Sequence, residues 1–106
     1  MAAHYGVRAA FIQKVGALAH RPQTQARDVF DLLHLIVSRE AGRFADQVEP
    51  GDAERARSKA LTIDFGIFKS QVLAYLTPEE QPAYDSPEVW DALVLKVVDV
   101  LEKAAP

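Results

Sequence analysis

A chain of 106 residues, 49% hydrophobic and 25% charged, has the balance of one soluble globular domain and is too short for a catalytic domain plus a separate recognition domain. No apolar run approaches the roughly 18 to 20 residues that cross a bilayer, no leader pattern opens the chain, and the absence of cysteine excludes disulfides, thiolate zinc sites and cysteine nucleophiles. The net charge of -3 is unevenly spread: residues 1–27 carry four basic side chains and no acid, residues 28–76 six basic and eight acidic, and residues 77–106 two basic and seven acidic. Four charges at the front do not make the broad basic face of a nucleic-acid binder, so nucleic acid is not an expected partner of this chain alone. Neither is a membrane, and the expected compartment is the cytoplasm.

Val7, Phe11, Val15 and Leu18 recur at helical spacing, with Ile12 and Ala19 widening the stripe, which predicts an amphipathic helix over about 7–19. Pro22 interrupts it by disfavouring helical geometry at Arg21 and by lacking a donor. Thr24 is the expected N-cap of a second helix, on which Val29, Leu32, Leu33, Ile36 and Val37 share one side, and Gly42 is placed to end it. A short connection between two apolar faces implies an antiparallel pair. Periodicity lapses around 44–50, and Pro50-Gly51 has the signature of a turn. Asp52 is then expected to cap a helix of about 53–61.

Asp64 is the next predicted N-cap, with Ile63 and Phe68 spaced as a hydrophobic staple, and Phe65, Phe68, Val72, Tyr75 and Leu76 mark the buried side of a helix over about 65–76. Thr77-Pro78-Glu79-Glu80 carries the cap, N1 proline and N3 glutamate of a capping box, predicting one helical turn before Pro82. Ser86-Pro87 opens the last helix. Its face of Trp90, Leu93, Val94, Val97, Val98 and Leu101 is extended nearly all round by Val89, Leu95 and Val100. No strand-like alternation or repeat is present, so the expected fold is a single all-α domain over 1–106, a compact bundle of about five helices beginning with an antiparallel helix pair.

On a wheel of roughly 100° per residue, Asp28 and Asp31 share the side of the second helix opposite Val29, Leu33 and Ile36, together with Arg27, His34 and Ser38. Lys14 lies at the margin of the first helix's apolar stripe, where an antiparallel partner brings it to that polar edge. A Lys-Asp pair across the hairpin is geometrically reasonable. The plainer account is that both aspartates favour the first turns of a helix through its dipole while Lys14 extends to solvent.

Gln13-Lys14-Val15-x-Ala17-Leu18, then Arg21, then Ala26-Arg27-Asp28-Val29-Phe30-Asp31-Leu32, resembles the C-terminal part of the AbiEii/AbiGii-type nucleotidyltransferase toxins of type IV toxin-antitoxin systems. Asp64-Phe65-x-x-Phe68-x-x-Gln71-Val72-x-x-Tyr75-Leu76 and the segment from Tyr84 to Trp90 fit the same helical half. The resemblance implies that Lys14 contacts nucleotide phosphate with Arg27 beside it, and that Asp28, helped by Asp31, supports the active site. Gln13 stands where the family's pattern has an acidic residue.

Nucleotidyl transfer needs a divalent metal held by carboxylates, which such a family places with a Gly-Ser turn on an N-terminal sheet. This chain has neither element. Its acid-x-acid spacing, Asp52-Ala53-Glu54, opens a predicted helix, and glycines 6, 16, 42, 51 and 66 form no phosphate loop. The chain alone is therefore expected to bind no cofactor and no metal and to be inactive, with Mg and a nucleoside triphosphate expected once a catalytic half completes it. The expected partner is that half or an antitoxin; the alternative is a non-catalytic interaction module that binds an antitoxin or itself as a homodimer through the wide apolar surface of the last helix, unless that helix lies centrally within the bundle. His4, His20 and His34 are too dispersed for a ligand set, Ser58, Ser70 and Ser86 lack a nucleophile motif, and Tyr75, Tyr84 and Trp90 are expected in the core.

Overall fold

In the computed structural model, which describes residues 6–103, the stripe Phe11, Val15, Leu18 and Ala19 is fully buried on helix α1, Val7–His20. A connection of five residues leads to α2, Ala26–Arg39, which buries Val29, Phe30, Leu32 and Leu33. A 3₁₀ segment, Ala41–Gln47, then leads to α3, Pro50–Ala60. After it come α4, Phe65–Gln71, a 3₁₀ turn at Leu73–Tyr75, the short α5, Gln81–Tyr84, and α6, Pro87–Glu102. No strand occurs among the described residues. The fold is all-helical, with six α-helical segments and two 3₁₀ segments there in place of about five helices.

Helix α3 is the hub. Its buried side consists of Ala53, Ala56 and Ala60, and α1 and α6 both pack against it. Methyl-sized side chains let neighbouring helix axes approach, so a helix without one large apolar residue on its inner face still joins the core. α6 is central as well, with Trp90, Val94, Val97, Val98, Val100 and Leu101 buried. Trp90 stacks on Phe68 with ring centroids 4.1 Å apart and donates its indole N–H to the carbonyl of Ile63 at 2.8 Å. A buried donor is thereby satisfied inside the apolar layer.

Several element ends differ from the sequence reading. The N-cap of α2 is Gln25 and not Thr24, and it makes no side-chain cap bond; the backbone N–H of Ala26 donates instead to Oε1 of Gln71 at 2.8 Å. α2 stops at Arg39 because Glu40 takes the left-handed conformation, φ 53°, two residues before Gly42. Gly42 serves packing: a Cβ there meets Val100 Cγ2 at 3.3 Å. Residues 44–50 are not irregular, since the 3₁₀ segment occupies most of them, and Pro50-Gly51 is the first turn of α3 with Pro50 at N1 rather than a free turn. Asp52 therefore sits inside the helix and caps nothing.

The helix expected over 65–76 breaks at Val72, φ -125° and ψ -57°, so the 3₁₀ turn that follows leaves Tyr75 79% exposed. Asp64 caps α4, its Oδ1 accepting the N–H of Ile67, and Ser86 caps α6 through the N–H of Val89. Thr77 and Glu80 form the reciprocal bonds of a capping box, but the helical turn begins only at Gln81.

Candidate functional site

Arg21 follows the last turn of α1, and Asp28 lies in the first turn of α2, so the short connection through Pro22 sets a cation beside an acid. Asp28 is 3% exposed. Arg21 Nε lies 2.8 Å from Asp28 Oδ2, off the N–H direction, so that contact is Coulombic; Nη2 donates to Oδ1 at 3.4 Å. Lys14 Nζ stands 3.6 Å from the same Oδ1 and donates to Oδ2 of Asp31 at 3.0 Å. Two cations and the positive end of α2 offset the desolvation of one carboxylate.

The Lys-Asp pair that spacing allowed is present, twice over, where the plainer account had Lys14 extending to solvent. Asp28 is not on a solvent-facing polar side, because α1 and the Arg21 side chain cover it. Arg27 is exposed and contributes no ion pair to this cluster among the described residues. Its place is taken by Arg21, which sequence reasoning left without a role although it stands one residue before Pro22, where α1 must turn.

Lys14 and Asp31 are each about one-third exposed, and both open on a groove of about 570 Å³ between α1 and α2. Gln13, His34, Ser38 and Arg39 add polar groups to its wall, with Ala10 and Leu35 as apolar surface. The His34 ring is held edge-on to Phe30, centroids 4.5 Å apart. Lys14, Arg39 and His34 give the groove the means to hold an anion, and Gln13 and Ser38 add hydrogen-bonding groups.

Asp28 is held by Arg21 and Lys14, and Asp31 gives its Oδ2 to Lys14. No group of three or more acidic or histidine side chains placed to hold a metal ion occurs among the described residues. His20 and Asp52 pair at 2.7 Å across α1 and α3, away from His34. His4 lies outside the described residues. Ser86 is spent on capping, Trp90 is buried, and Tyr84 packs edge-on to Phe30 at 5.3 Å. No described helix is long and apolar enough to cross a membrane.

Comparison with protein families, with curated proteins and with solved structures finds no match to this chain.

Proposed function

We propose that the chain is the helical half of a nucleotidyltransferase resembling the AbiEii/AbiGii toxins, and that its α1–α2 groove receives nucleotide phosphate at Lys14. The observation that carries this reading is the convergence of Lys14, Asp28 and Asp31, which lie up to 17 residues apart in sequence, with Lys14 and Asp31 lining one open groove and Asp28 buried behind them. The pairing of α1 and α2 is antiparallel in this reading, supported by the order of contacts: Arg21 meets Asp28, Lys14 meets Asp31, and Ala10 shares the groove with Arg39. Asp28 holds Lys14 from the buried side while Asp31 holds it from the open side. An incoming phosphate competes with Asp31 alone, and Arg39 and His34 are placed to share its charge.

In this reading the metal belongs to a separate catalytic half, since Asp28 is held by Arg21 and Lys14 and Asp31 shares Lys14. Catalysis by this chain alone is not part of the reading. Titrating the full chain with ATP and following backbone amides by NMR tests it: shifts at Ala10, Leu35 and Ser38, weakened about tenfold or more by Lys14→Ala, are expected. No shift in the groove, or shifts unchanged by Lys14→Ala, overturns it.

A second reading, a non-catalytic module that binds another protein, is favoured by a different observation. The apolar surface of α6 is mostly buried, the central placement that the sequence left open; Leu95, 60% exposed, is its most exposed large apolar side chain, and Leu61 lines the same concavity at 56%.

A further inference from the structure

Leu61 and Leu95 line one concavity of about 310 Å³, together with Ile63, Val94, Asp64 and Asp91, where the end of α3 and the start of α4 meet α6. Of the four large apolar side chains more than half exposed among the described residues, Val37, Leu61, Tyr75 and Leu95, these two share one concavity. Acidic groups flank them, of which Glu102 is paired with Arg57 at 3.6 Å. Asp91, Leu95, Asp99 and Glu102 follow one another at helical spacing on the outer side of α6, all exposed, and Asp64 faces them across the concavity. Asp91 and Asp99 form no ion pair among the described residues. Asp64 uses Oδ1 to cap α4, leaving its other oxygen to the surroundings. Lys96, the nearest base on α6, lies about 100° round the helix from Leu95.

We infer that this surface docks a cationic amphipathic helix of another protein, its apolar side chains seated on Leu61 and Leu95 and its Lys or Arg side chains flanking them against Asp64, Asp91 and Asp99. An apolar centre with a charged rim is the anatomy of a helix-in-groove contact, in which the anchors set affinity and the rim sets partner choice. With a net charge of -3, a second copy of this chain is a poorer electrostatic match for the acidic rim than a basic partner. The inference rests on the interaction-module reading and is independent of nucleotide binding, since the α1–α2 groove shares no lining residue with this surface.

The test uses the full chain, a helical leucine-lysine peptide of about 18 residues and the same peptide with glutamate for lysine. Amide shifts at residues 61, 63, 91, 94 and 95 with the lysine peptide only are expected. Leu95→Glu should weaken binding about tenfold or more, and Asp91→Asn with Asp99→Asn about two- to fivefold, the latter effect vanishing at high salt. All three positions are exposed, and unchanged circular dichroism establishes that the variants fold. Equal binding of the glutamate peptide, or shifts elsewhere, overturns the cationic-helix assignment while leaving a protein-binding role standing. A dimer in sedimentation that Leu95→Glu dissociates makes a second copy the occupant and also overturns the assignment. A monomer that binds neither peptide overturns both.

Discussion

Arg21 closes over Asp28, with Nε 2.8 Å from Oδ2, so that a carboxylate in the first turn of α2 is shut away from water by a residue that belongs to the end of α1. Lys14 reaches the same carboxylate from farther off, 3.6 Å, and shares itself with Asp31. The two cations thus have different duties. Arg21 neutralises a buried charge, and Lys14 has an exposed side from which to meet a ligand.

Removing Arg21 is therefore expected to destabilise the fold more than removing Lys14. Arg21→Ala leaves Asp28 with one distant cation and should cost about 1–3 kcal/mol, against about 0.5–1 kcal/mol for Lys14→Ala. Urea unfolding followed by circular dichroism measures both. The opposite order would make Lys14 the principal counter-ion.

Asp31→Asn separates stability from binding. The carboxylate is one-third exposed and its bond to Lys14 is screened by solvent, so the fold should change by less than about 1 kcal/mol. Releasing Lys14 from it should tighten phosphate or ATP binding about two- to fivefold. Weaker binding in calorimetry would mean that Asp31 orients the lysine rather than competing for it.

Trp90→Phe should cost about 2–4 kcal/mol. It removes the donor that satisfies the Ile63 carbonyl and shrinks a ring that stacks on Phe68. The loss is read in the urea midpoint by far-ultraviolet circular dichroism, because the variant carries no tryptophan for fluorescence.

Glu40→Gly should stabilise the protein. At φ 53° a glutamate occupies the backbone region that glycine enters without penalty, so the substitution should gain about 0.5–1 kcal/mol and raise Tm by about 2–6 °C, while Glu40→Ala gains nothing. Calorimetric scans of the three proteins decide it.

The helices that were legible in the sequence are those whose buried residues are large and periodic. Phe11, Val15 and Leu18 announce α1, and Trp90, Val94, Val97 and Leu101 announce α6, because bulky side chains at 3.6-residue spacing have few alternatives to a core. α3 was located by its flanking turn and mis-started, since Ala53, Ala56 and Ala60 make a buried face that carries almost no hydrophobic contrast. Side-chain capping at Asp64 and Ser86 was legible because it is local chemistry. The start of α2 was not, because its first N–H is satisfied by Gln71, 45 residues away, and no local rule reaches that far. The same distinction holds at the site. Helical spacing allowed the contact of Lys14 with Asp31 without favouring it over a lysine extended to solvent, whereas the burial of Asp28 depends on how Arg21 folds back after Pro22.

The bond from Gln71 to Ala26 ties the beginning of α2 to the end of α4. All the charged residues of the cluster lie before residue 32, yet the turn that presents Asp28 is anchored by a side chain far downstream. A peptide cut after α2 would contain every member of the cluster and still lack the brace that fixes where it starts, so the charged network is a property of the assembled bundle rather than of a portable helical hairpin.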